Sequence, residues 1–122
     1  MARRSLPIVL ALALALLPAS VASAAERSGG VGNPVNAKLM GMKPAERAAE
    51  LAKAVQHWCV GTEAFPMGVT RTGPAAGYAY WSLRCADGSA WAVQIDPLGE
   101  LTAMDCAHFN AAAAPKECFK RF

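Results

Sequence analysis

Residues 78–106 read "YAYWSLRCADGSAWAVQIDPLGELTAMDC", and the placement of their turns decides the fold. A two-residue turn at Asp87-Gly88 would pair Leu83 with Ala92 and Trp81 with Gln94, mixing apolar and polar side chains on each face. A three-residue loop, Ala86-Asp87-Gly88, instead pairs Leu83 with Trp91, Trp81 with Val93 and Ala79 with Ile95. One face then becomes uniformly apolar, and that pattern selects the register. Gly88 falls where a type I turn followed by a bulge needs a left-handed residue. "IDPLGEL" repeats the device, with Pro97 presetting the first turn residue and Gly99 taking the left-handed one. Ile95 then faces Leu101 and Val93 faces Ala103, so the stretch predicts an antiparallel meander.

This register assigns the polar residues as well. Asp87 and Asp96 are turn residues held by local backbone hydrogen bonds. They sit at opposite ends of one strand, and at ~3.3 Å per residue no acid–base or calcium site can use both. The face opposite the apolar one carries Tyr78, Tyr80, Ser82, Arg84, Ala92 and Gln94, extended by Thr102 and Met104. It is expected to meet solvent. Tyr78, Tyr80, Arg84, Gln94 and Met104 form a candidate binding face, because tyrosine, arginine and methionine bury large area while keeping polar handles. The plainer reading is that tyrosine simply favours strands.

Upstream, "KPAERAAELAKAVQHWCVG" predicts an amphipathic helix from Pro44, closed by Gly61. Ala48, Leu51, Ala52, Val55, Trp58 and Cys59 recur at three- and four-residue steps, with Glu46, Arg47, Glu50, Lys53 and His57 on the other side. A short apolar piece, Phe65 to Thr70, predicts an edge strand, since Pro66 lacks a ladder donor. The expected core is Leu51, Val55, Trp58, Trp81, Leu83, Trp91, Val93, Ile95 and Leu101. Asp105 should cap a short helix in "CAHFNAAAAP", stopped by Pro115.

The chain opens MARRSLPIVLALALALLPASVASAA, with two arginines, an apolar run and an Ala22-Ser23-Ala24 cleavage pattern. This predicts a signal peptide over 1–24, a flexible leader over 25–43 and a single domain over 44–122. The expected location is the periplasm or the exterior, with no membrane span after cleavage. Cleavage removes Arg3 and Arg4 and leaves ten Lys/Arg against nine Asp/Glu, a net of +1. Without a basic block the chain lacks the footprint of a nucleic-acid binder.

Cys59, Cys85, Cys106 and Cys118 all lie in the mature part, and an even count in an exported chain predicts two disulfides. Cys85 shares the apolar face with Trp81 and Leu83, where the helix end carrying Cys59 docks, so Cys59–Cys85 is expected. Cys106–Cys118 follows, closed by the loop after the last strand. No metal site is expected. The His57/Cys59 and Cys106/His108 pairs have one residue between potential ligands, whereas zinc favours two to four. On a helix, His57 and Cys59 would also point ~200° apart. No catalytic residue or cofactor is expected either, because Asp105 and His108 have no serine in a nucleophile context.

A helix followed by these strands resembles the PepSY (peptidase-propeptide-like) domains over roughly residues 45–105. Asp87-Gly88, Val93, Ile95-Asp96 and Gly99-Glu100-Leu101 carry the resemblance. The four cysteines and the Cys106–Phe122 tail depart from that pattern. The resemblance implies an exported, non-catalytic domain that binds or restrains an envelope enzyme. The expected architecture is α+β, one N-terminal amphipathic helix on a three- to four-stranded antiparallel meander with two disulfides. The expected function is binding to an envelope protein. The competing class is metal or redox handling through Met40, Met42, His108 or reducible cysteines.

Overall fold

Two turns of one design organise the sheet. At the first, Cys85 N–H donates to Ser89 O at 2.9 Å and Gly88 N–H to Cys85 O at 2.9 Å. At the second, Asp96 N–H donates to Glu100 O and Gly99 N–H to Asp96 O, both at 3.0 Å. Gly88 (φ 88°) and Gly99 (φ 92°) supply the left-handed residue that each turn needs. Asp87 Oδ1 accepts from the Ser89 amide at 2.9 Å and hydroxyl at 2.6 Å. Asp96 Oδ1 accepts from the Leu98 and Glu100 amides, both at 2.9 Å. Both aspartates are turn residues.

The computed structural model describes residues 32–55 and 58–122. The expected signal peptide, residues 25–31 of the expected leader, and His57 lie outside the described residues. Three helices and four strands follow in the order α1 (Pro34–Gly41), α2 (Pro44–Ala52), β1 (Gly61–Val69), β2 (Ala79–Cys85), β3 (Ala90–Ile95), β4 (Leu101–Asp105) and α3 (Cys106–Ala112). The strands form one antiparallel sheet in chain order, β1-β2-β3-β4. Ala79, Trp81 and Leu83 pair with Ile95, Val93 and Trp91, and Val93 and Ile95 pair with Ala103 and Leu101, as the hydrophobic pattern requires. β1 is an edge strand holding Pro66, but it starts at Gly61, earlier than the apolar run suggested.

The main core lies between the helices and one face of the sheet. Leu39, Ala48, Leu51, Val55, Cys59, Trp81, Leu83, Cys85, Val93 and Ile95 are buried there. Trp91 and Leu101, expected in this core, are half-buried at its margin. Trp58 is a correction: it is 47 % exposed and packs on the Trp91 ring at 6.0 Å. The helix ends at Ala52, where Lys53, Ala54 and Val55 tighten to hydrogen bonds three residues back. Val60 O already accepts from Ala86 N–H at 2.8 Å, and Cys59 lies beside Cys85 with Cα atoms 5.3 Å apart. The chain must therefore leave the helix axis before Cys59, which breaks the stripe that placed Trp58 inside.

The expected leader is corrected in its described part, where α1 forms. Asn33 caps it, with Oδ1 accepting from Asn36 N–H at 3.0 Å, and Pro34 takes the first helical turn. Leu39 enters the core, and Trp81 Nε1–H donates to Asn36 Oδ1 at 2.8 Å. The single inward leucine gives α1 too little apolar period to betray it.

α2 presses directly on the start of β1. A Cβ at Gly61 would lie 2.3 Å from the Ala48 carbonyl oxygen, a backbone atom that cannot swing aside. Gly61→Ala should destabilise the fold by about 1–3 kcal/mol, the usual range for overpacking. Gly41→Ala, with nothing within 4 Å of the added carbon, should be close to neutral. Urea midpoints for the two variants check this, and equal midpoints would refute the close approach.

Candidate functional site

The second face of the sheet has its own cover. α3 starts at Cys106 with Asp105 as its cap, the carboxylate accepting from His108 N–H at 3.0 Å. Phe109 then drops onto Met67 and Ala92, and all three are buried. The Cys106–Cys118 disulfide turns the chain back, and Cys118 N–H donates to Asn110 Oδ1 at 2.9 Å. From there the tail crosses β2 and β1. Phe119 N–H donates to Ser82 Oγ at 2.7 Å, and Phe122 N–H to Met67 O at 3.0 Å.

Aromatic and cationic side chains fasten this layer. Tyr80 packs against Phe109 at 6.0 Å and Phe122 at 5.5 Å, and Phe119 against Phe65 at 6.4 Å. Arg84 lies over the Phe119 ring at 4.7 Å and Lys116 over Phe122 at 4.2 Å. The expectation of a solvent-facing sheet is thus corrected: Ser82 and Ala92 are buried and Tyr80 is half-buried. Burial pushes the Tyr80 phenol above its ordinary pKa, with a smaller contribution from Tyr78.

The cover stops short of β4. Between α3 and the outer strands remains a groove of about 210 Å³, lined by Tyr80, Ala92, Gln94, Thr102, Met104 and Phe109, with Ala103 at its border. Met104 is 46 % exposed and is the large apolar side chain that this groove presents to solvent. The structure divides the candidate face. Tyr80, Gln94 and Met104 converge on the groove, whereas Tyr78 and Arg84 do not line it. Arg84 is occupied by Phe119 and by Glu63, with Nε 3.4 Å from the carboxylate. Phe109 was not among the expected site residues. Its signal was available in the capped "DCAHFN" segment, but the face on which that helix would settle was not.

Besides Tyr80 in its lining, the groove has Asp105 and His108 at the start of α3, joined through Oδ2 and Nδ1. Hydrogen bonds from the His108 amide and, secondarily, its ring hold the Asp105 carboxyl below its usual range. Both side chains are solvent-accessible, and the pair reads as a helix cap. Among the described residues no group of three or more His, Cys, Asp and Glu side chains is placed to hold a metal ion. All four cysteines are paired, as Cys59–Cys85 and Cys106–Cys118, the expected connectivity. No helix among the described residues is long and apolar enough to cross a membrane. No family model, curated protein or solved structure matches the chain.

Proposed function

We propose that this chain is an exported, disulfide-stapled binding or accessory domain of the cell envelope, which restrains or assists an envelope protein through the groove beside β4. The observation that carries this reading is the incomplete cover of the second face. An apolar groove is left between Met104, Tyr80 and Phe109, while Phe119 and Phe122 of the tail cover parts of β1 and β2 on that face. Grooves of this kind, with an apolar floor and a few polar groups such as Gln94 and Thr102, suit recognition of another molecule. Two closed disulfides support an oxidising compartment. The resemblance to PepSY domains supports a non-catalytic role of the same class. The metal-handling alternative gains no support from the described geometry, since Met42 packs on the helical side of the sheet and His108 stands on α3 over the other.

Capture from an envelope extract with an immobilised, oxidised chain tests this reading. Met104→Glu should abolish capture with little change in melting temperature, because the side chain is half in solvent. Arg84→Ala, outside the groove, should retain it. Undiminished capture by Met104→Glu would remove the groove from consideration. Tyr80→Ala is a poor probe, since its contacts to Phe109 and Phe122 make it part of the second core.

A further inference from the structure

β4 ends the sheet, and the hydrogen-bond alternation fixes which of its groups face outward. The Asp96–Glu100 bond closes the hairpin, so Gln94–Thr102 and Ala92–Met104 are the hydrogen-bonded pairs. Leu101, Ala103 and Asp105 therefore turn their main-chain N–H and C=O groups away from the sheet. Among the described residues, no hydrogen bond outside the strand ladder engages the Leu101 or Ala103 main chain. The other edge is blunted. β1 carries Pro66 and two register breaks, and the tail bonds to Met67 O. β4 has an unbroken register and no proline, glycine, lysine or arginine.

The groove opens onto this same edge. Ala103 borders it although its side chain, paired with Val93, belongs to the helical face, so the main chain of β4 forms that border. A strand laid against β4 would carry its residues opposite Thr102 and Met104 over the groove. We propose that β4 accepts an extended, antiparallel peptide segment of a partner protein, apolar at the two positions flanking the residue paired with Ala103 and basic beyond them. This deepens the groove reading above and rests on it.

Charge selects such a partner over a second copy. Glu100 and Asp105, the latter also accepting from His108, flank the edge, and no lysine or arginine lies on the strand between them. Self-pairing about Ala103 would set Asp105 of one copy against Leu101 of the other, next to its Glu100, opposing carboxylates at both ends. A peptide with basic ends meets the same groups favourably. Main-chain hydrogen bonds supply the attachment, and the groove reads alternate side chains.

The probe is a short acetylated, amidated peptide with a central threonine, a valine on each side of it, and terminal lysines. Titrated calorimetrically into the oxidised chain, it should bind, and N-methylation of the central threonine should weaken binding roughly ten-fold, the loss expected for one main-chain hydrogen bond and its strand geometry. Exchanging the lysines for glutamates should weaken it further at low salt. Ala103→Pro, which removes an outward N–H that no described residue accepts, should reproduce the N-methyl effect. Equal affinity for the parent and N-methylated peptides, or no binding of the parent at millimolar concentration, would overturn the proposal. If Ala103→Pro does not fold, the N-methylated peptide still decides. Envelope capture that is lost in Met104→Glu but intact in folded Ala103→Pro would leave the groove function standing and remove strand addition alone.

Discussion

Asn33→Leu should lower the unfolding free energy by about 3–4 kcal/mol, among the largest effects of any single substitution in this chain. The side chain serves both ends of one amide. Oδ1 caps α1 through Asn36 N–H, while Nδ2 donates to Gly77 O and Ile95 O at 3.0 Å and to Asp96 O at 3.1 Å. Asn33 is only 6 % exposed, so water cannot replace these bonds. Leucine leaves an uncapped helix and carbonyls stripped of a shared donor. Asn33→Asp separates the two roles, because a carboxylate caps well but faces three carbonyl oxygens with no proton to offer. Urea denaturation should show the aspartate variant at least as unstable as the leucine variant. A near-normal midpoint for Asn33→Asp would show that the cap alone matters.

The second large effect belongs to the Cys59–Cys85 bridge. It closes a separation of 26 residues and joins the segment after α2 to the last residue of β2. The double variant Cys59→Ala/Cys85→Ala should lose about 3.5 kcal/mol in the chain-entropy model, a large share of the ~5–15 kcal/mol that holds a small domain together. The Cys106–Cys118 bridge spans only 12 residues, and the same model gives about 3 kcal/mol. Its removal should act mainly on the layer over the second face. Hydrogen exchange should then rise in α3 and residues 116–122 while the Leu83 and Val93 amides stay protected. Uniform loss of protection in both variants would refute this division.

The sheet was legible because its signal is periodic and redundant. Alternation, two glycine-centred turns and the faces of Cys85 and Trp81 all agree on one register. The Cys59–Cys85 pairing followed from the same faces, and Cys106–Cys118 from the loop that brings Cys118 back. Where the reading failed, the deciding interaction was long-range. α1 was read as leader, because the carbonyls of residues 77, 95 and 96 that bury Asn33 lie far along the chain. α2 stops at Ala52 because Cys59 is needed at Cys85, whereas its apolar period runs on to Trp58 by chance. The candidate face lost Arg84 and half of Tyr80 to the aromatic tail, and no local pattern says which surface Phe109, Phe119 and Phe122 will choose. The groove is what that choice leaves over.

β2 is buried on both sides, with Ala79, Trp81, Leu83 and Cys85 under the helices and Ser82 under the tail. A slip of one residue in its pairing would turn Cys85 toward the tail and away from Cys59, since side chains alternate across the sheet. The bridge therefore ties a covalent bond to one strand register. The Cys59–Cys85 bond fits the register that also delivers Trp81 to the core, and once closed it holds β2 to that register.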